Sequence, residues 1–127
     1  LDIPPFMNLE RLTCIAECLP QHLDFLLSNC FKVKYIHFGT SIPTSDELIE
    51  KVLSKNPMIY LEELRVLHSD RLTIASAYKL VEICPNLSIL TELESWRVSQ
   101  VELDCFKRFI KENNLFLDIT PFRRIEL

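Results

Sequence analysis

Three groups of residues in this sequence have the types and spacing to do chemistry. Cys14, Cys18 and His22 stand four apart; on one continuous helix two thiols and an imidazole would share a face suited to a soft metal. His68-Ser69-Asp70 holds the residue types of a nucleophile, its base and the orienting carboxylate. Asp46 with Glu47, and Glu92 with Glu94, are carboxylate pairs of the kind that divide acid and base work. The setting opposes each of them. The Cys14 group runs from an apolar strand-like word through a turn into a helix, which breaks the common face, and no second ligand pair follows. Adjacent side chains cannot converge as a proton relay requires, so His68-Ser69-Asp70 reads as a polar loop. Helix starts and solvated loops account for the carboxylates. No catalytic residue, metal ligand or cofactor site is therefore expected.

The elements that would have to position such groups follow a repeat. Leu9-Glu10-Arg11-Leu12-Thr13-Cys14 is the first apolar word and Val33-Lys34-Tyr35-Ile36-His37-Phe38 the second. Leu61-Glu62-Glu63-Leu64-Arg65-Val66, Leu87-Ser88-Ile89-Leu90 and a looser Leu115-Phe116-Leu117-Asp118-Ile119 follow. Taking Leu12, Ile36, Leu64, Leu90 and Leu117 as equivalent, the steps are 24, 28, 26 and 27 residues. Between the words, Leu23, Leu26, Leu27 and Cys30 fall at helical spacing, and Ala77, Leu80, Val81 and Cys84 repeat that face. Leu48, Ile49, Val52 and Leu53 supply it in the second unit; Leu103, Phe106, Phe109 and Ile110 supply it in the fourth. Unequal steps are absorbed in loops, two residues at Asn56-Pro57 and one near Asn113-Asn114, where insertion costs little. Thr44-Ser45-Asp46-Glu47 and Ser99-Gln100-Val101-Glu102 read as capping boxes, Thr73 as a cap, and Pro20 as a first-turn proline. Pro85 should end the third helix by forcing Cys84 out of helical angles.

Strand, loop, helix and loop at a period of roughly 20–29 residues is the pattern of leucine-rich repeats. The expected fold is a single α/β domain over residues 1–127: a right-handed horseshoe arc of four to five repeats, parallel strands concave and helices convex. Cys84-Pro85-Asn86-Leu87-Ser88-Ile89-Leu90 and Cys30-Phe31-Lys32-Val33-Lys34-Tyr35-Ile36 resemble the cysteine-containing repeat common in F-box proteins. The second unit departs from it, with Met58-Ile59-Tyr60-Leu61 where cysteine would sit, and the asparagine or cysteine that commonly follows the strand is missing. That resemblance implies the substrate-binding part of a cullin-type ubiquitin ligase receptor, with a Skp-type adaptor held by an F-box module outside this chain. Leu1-Asp2-Ile3-Pro4-Pro5 resembles at most the start of such a module, and Arg123-Arg124-Ile125-Glu126-Leu127 carries no stop signal, so the chain reads as a piece of a longer protein. Other repeat scaffolds, a GTPase regulator among them, and a small α/β enzyme fragment are the alternatives.

Composition narrows the partner class. A net charge of −4 speaks against nucleic acid as a partner, since domains that bind phosphates carry a basic excess. The single glycine, Gly39, excludes the glycine-rich turns of dinucleotide and phosphate loops. No stretch approaches the ~18 apolar residues of a membrane span. Five cysteines with no visible secretion signal point to free thiols in a reducing compartment, cytoplasmic or nuclear. The repeat array, read as a leucine-rich solenoid, implies a protein partner on its concave face. Because strand side chains alternate, the residues beside each core position should line the concave face: Arg11, Thr13 and Ile15; Tyr35, His37 and Gly39; Glu63, Arg65 and Leu67; Ile89, Thr91 and Leu93; Phe116 and Asp118. Arg11, Thr13, Tyr35, His37, Glu63, Arg65, Ile89, Thr91, Phe116 and Asp118 are the expected contacts. Trp96 fits either the core or the rim.

Overall fold

The structure, a computed structural model, describes residues 8–120. The Leu1-Asp2-Ile3-Pro4-Pro5 likeness and the closing Arg123 to Leu127 lie outside the described residues. Elements alternate strictly: β1 (Arg11–Cys14), α1 (Pro20–Asn29), β2 (Tyr35–Phe38), α2 (Asp46–Lys55), β3 (Glu63–Val66), α3 (Ile74–Ile83), β4 (Ile89–Thr91), a 3-10 turn (Leu93–Ser95) and α4 (Gln100–Glu112). The three ten-residue helices are too short to stand alone in water. Burial of one apolar face holds them, and that face is the expected one. Leu23, Leu27 and Cys30, then Leu48, Ile49, Val52 and Leu53, then Ala77, Leu80 and Cys84, then Leu103 and Phe106 join one continuous core.

The four strands form one parallel sheet in the order β1-β2-β3-β4. Leu12, Ile36, Leu64 and Leu90 are direct register partners, as the repeat requires. Successive helices pack on one another along the sequentially ordered sheet, which places them on the same side of it. Burial agrees: Leu12, Ile36, Phe38, Leu64, Val66 and Leu90 lie beneath the helices, whereas Arg11, Tyr35, His37, Glu63, Arg65 and Ile89 between them remain at least partly accessible. Strand order never reverses, so the sheet has no switch-point crevice of the kind that seats nucleotides in doubly wound folds.

Helix ends follow the sequence with one shift. Ser99 and Glu102 form the full capping box of α4, Thr73 caps α3 through the Ala75 amide, and Pro20 opens α1. α3 ends at Ile83, one residue before Cys84 and two before Pro85. At α2 the cap is Ser45 rather than Thr44, its hydroxyl accepting from the Leu48 amide. Asp46, the first residue of the helix, has a separate role. Its carboxylate accepts from the Thr73 amide (2.9 Å), the Thr73 hydroxyl (2.7 Å) and the Ser76 hydroxyl, and so ties the starts of α2 and α3 together. Burial raises the Asp46 carboxyl, but these hydrogen bonds outweigh it and hold the group below the usual aspartate range.

The insertion at Asn56 is structural. The buried side chain donates to the carbonyls of Leu27 (2.9 Å) and Cys30 (3.1 Å) and accepts from the Met58 amide (3.0 Å), bracing the turn in which Met58 takes a φ of 44°. Asn86 donates likewise to Ile59 O (2.6 Å) one unit on. After β3, Ser69 braces the loop that leads to α3. Its hydroxyl donates to Thr44 O and accepts from the Arg71 and Leu72 amides. Trp96 fills the core at 5% exposure, its indole N–H donating to Val66 O at 3.0 Å, which decides between core and rim.

The fifth word departs from expectation. It makes a single bridge, Asp118 opposite Ile89, instead of a strand. Counting from that bridge, Ile119 rather than Leu117 stands opposite Leu90, a shift of two. The cause is α4, at 13 residues against ten in the others. Phe106 and Phe109 pack edge-on against Tyr78, with centroids 4.9 and 5.1 Å away.

Candidate functional site

The uncovered sheet face presents two rows, because parallel pairing sets equivalent residues side by side. The first row runs Arg11, Tyr35, Glu63, Ile89 and Asp118; the second runs Thr13, His37, Arg65 and Thr91. Sequence alternation thus brings together nine of the ten expected residues. Three corrections apply. Thr91 points outward in register but is covered, at 1% exposure, because the Arg65 guanidinium lies across it and donates to its hydroxyl at 3.3 Å. Phe116 falls before the bridge and is 95% exposed, at the end of the sheet rather than in the row. Leu93 and Gly39 are buried, since the chain has already turned off the strand where they stand; Ile15 and Leu67 are exposed at their strand ends.

A polar cluster occupies the centre. Glu63, with a side chain only 14% exposed, receives both the His37 Nε2 and the Arg65 Nε, the latter at 3.2 Å, on one carboxylate oxygen. Burial pushes the Glu63 carboxyl up; the His37 and Arg65 hydrogen bonds and the Arg65 charge overcome this and hold it below the usual glutamate range. Arg65, braced by Glu63 and Thr91, is therefore a fixed guanidinium rather than a free arm. At the β1 edge Arg11 lies over the Tyr35 ring, 4.5 Å from its centroid, a cation–π contact that orients the cation without neutralising it. At the far end Asp118 accepts from the Thr120 amide at 2.8 Å, which with the Arg65 charge lowers its carboxyl.

The sequence clusters with chemical potential are dispersed. Ser69 Oγ is committed to Thr44 O, and His68 pairs with Asp70 at 3.1 Å on exposed side chains, so no nucleophile faces a base. Asp46 is bound into its helix-start network while Glu47 is exposed on the first turn of α2. Glu92 and Glu94 sit on the tight turn after β4. Cys14 and Cys18 lie near each other beside His22 in an apolar groove at the β1 edge. Burial, and then Cys18, raise the Cys14 thiol. No group of three or more His, Cys, Asp or Glu side chains among the described residues could hold a metal ion. Cys30 and Cys84 are buried in the core, burial pushing their thiols up to about 11 and about 12, which makes them packing groups rather than nucleophiles.

Sequence reasoning missed the Asp46 network and the bracing of Arg65. The alternation pattern contained a signal for the second: Glu63 and Arg65 two apart on one strand, with His37 beside Arg65 in the register, put all three on one face. No helix among the described residues is long and apolar enough to cross a membrane. Comparison with protein-family models, curated proteins and solved structures found no match to the chain.

Proposed function

We propose that this chain is a leucine-rich repeat solenoid that binds another protein through the uncovered sheet face and performs no chemistry of its own. The observation that carries the reading is the register of Leu12, Ile36, Leu64 and Leu90, which lines up one side chain of the same kind per unit and leaves the alternate residues as a continuous strip. Concave faces of such arrays are built to bind. Tyr35 and Arg65 are of types enriched at binding hot spots, and bracing of Arg65 lowers the entropy lost on contact. The resemblance of the Cys30 and Cys84 words to F-box repeats extends the proposal to substrate recognition for a ubiquitin ligase in a cytoplasmic or nuclear setting, the Skp-type adaptor being held by a module outside the chain.

The test is affinity purification from cells of the chain with its natural flanks. The expected result is recovery of a Skp-type adaptor and a cullin together with further proteins, the latter lost on Tyr35→Ala with Ile89→Ala while the adaptor stays. Failure to recover the adaptor defeats the ligase reading. Retention of every other protein by the double variant moves the interface off the sheet face.

A further inference from the structure

We infer that the sheet face recognises a polypeptide segment lying across the strands, with a carboxylate at its β1 end, an apolar middle and a cation at its Asp118 end. The inference rests on the protein-binding reading above and gives it a partner chemistry. Its basis is the unequal use of charge along the first row. Arg11, on the exposed edge strand, makes no ion pair among the described residues and lies against the π-face of Tyr35. An aromatic quadrupole attracts a cation but leaves its charge in place. Nearby Lys34 is paired with Glu10 at 3.0 Å, which leaves Arg11 as the cation of this end with no ion pair among the described residues.

The other end is reversed. There Arg65 pairs directly with Glu63 and acts on Asp118 through its charge. Glu63 is also spanned by His37 and largely buried, so it has little left to offer a partner. Asp118 is exposed, forms no ion pair among the described residues, and carries the outstanding negative charge. Between the ends, Tyr35 and Ile89 give apolar, half-buried surface. The row is thus a dipole with an apolar waist. Four strand steps of about 4.8 Å separate Arg11 from Asp118 by roughly 19 Å. A helix covers that distance in about 13 residues and an extended segment in about six. Complementary potentials select the orientation of such a segment as well as its composition, since the reversed segment would set like charges together at both ends.

The probe is a display library of random 16-residue peptides selected on the intact 127-residue chain, with enriched sequences remade as synthetic peptides for titration. Enriched peptides are expected to carry Asp or Glu towards one end and Lys or Arg towards the other. Arg11→Glu, at a surface position that leaves the melting temperature unchanged, should weaken them roughly tenfold or more. Replacing the peptide's acid by lysine should restore binding to that variant. Three results overturn the inference: no enrichment, enrichment without paired opposite charges, or affinity indifferent to Arg11→Glu. If Ile89→Asp abolishes peptide binding while Arg11→Glu does not, the sheet-face reading stands and the charge assignment alone fails. If neither substitution matters, both fail.

Discussion

At the scale of single residues, the open face is governed by one carboxylate. Glu63 gathers His37 and Arg65 on a single oxygen in a half-buried setting, where charge-assisted hydrogen bonds are stronger than in water. Its folded-state pKa lies below its ordinary value of 4.5, so the group stabilises the fold fully above that value. That contribution is lost as pH falls through the lower folded value. Asp46 is displaced the same way and adds to the acid sensitivity, which is why a comparison of variants is needed. Glu63→Gln should cost on the order of 1–2 kcal/mol at pH 7, as expected for hydrogen bonds to a charged group. The gap from the parent chain should close below about pH 4.5. Denaturant midpoints at pH 7 and at pH 3.5 check this, and a gap equally wide at both would remove Glu63 from the account. Which residues face outward was legible from alternation alone. The covering of Thr91 was not, because it depends on the direction an arginine side chain takes across two strands.

At the scale of elements, the strand-to-helix side of each unit is nearly invariant. Ile36 to Ser45, Leu64 to Thr73 and Leu90 to Ser99 each span nine residues, and Leu12 to Leu19 seven. The second unit varies instead on the helix-to-strand side, where Asn56 braces the longer turn, and the fourth varies in the length of α4. Asn56→Ala removes donors to two carbonyls and an acceptor for the Met58 amide in a buried site. Leaving these groups unpaired should cost roughly 2–4 kcal/mol, counting about 1–3 for each unsatisfied buried group with partial relief by water. Leu90→Ala, at 0% exposure, should cost about 2–5 kcal/mol as a large-to-small core change. Ser54→Ala, on the exposed side of α2, serves as the control with an expected change within about 0.5 kcal/mol. Chemical denaturation of the three variants reads these directly, and a change near zero at Leu90 would mean its core assignment is wrong. The strand words, the helix faces and three of the four proposed helix starts were readable from period and capping chemistry. The register of the fifth word was not. It turned on the length of α4, 13 residues against ten in α3, which the apolar spacing of one unit does not encode.

At the scale of the whole molecule, each strand pairs with the next and each helix packs on the next, so stability is assembled from neighbour contacts along the chain. On the proposed solenoid reading, the stack has only interior and terminal units. β2 and β3 are paired on both edges, whereas β1 is paired among the described residues on one edge, and β4 receives on its outer side only the Asp118 bridge. Opening a terminal unit breaks one interface, while opening an interior unit breaks two. Native-state hydrogen exchange should therefore be slowest for Ile36 and Leu64 amides and faster, by roughly tenfold or more, in β1 and β4 if one interface contributes upwards of 1.4 kcal/mol. The same logic fixes how a binding partner changes the pattern. A segment laid across Arg11, Tyr35, Ile89 and Asp118 touches every unit at once and so penalises the loss of either end. Bound peptide should slow exchange most in the terminal strands, where the free chain is fastest, and least in β2 and β3. Uniform protection across the four strands of the free chain would show a single cooperative unit, and protection confined to β2 and β3 on binding would place the peptide along the strands instead of across them.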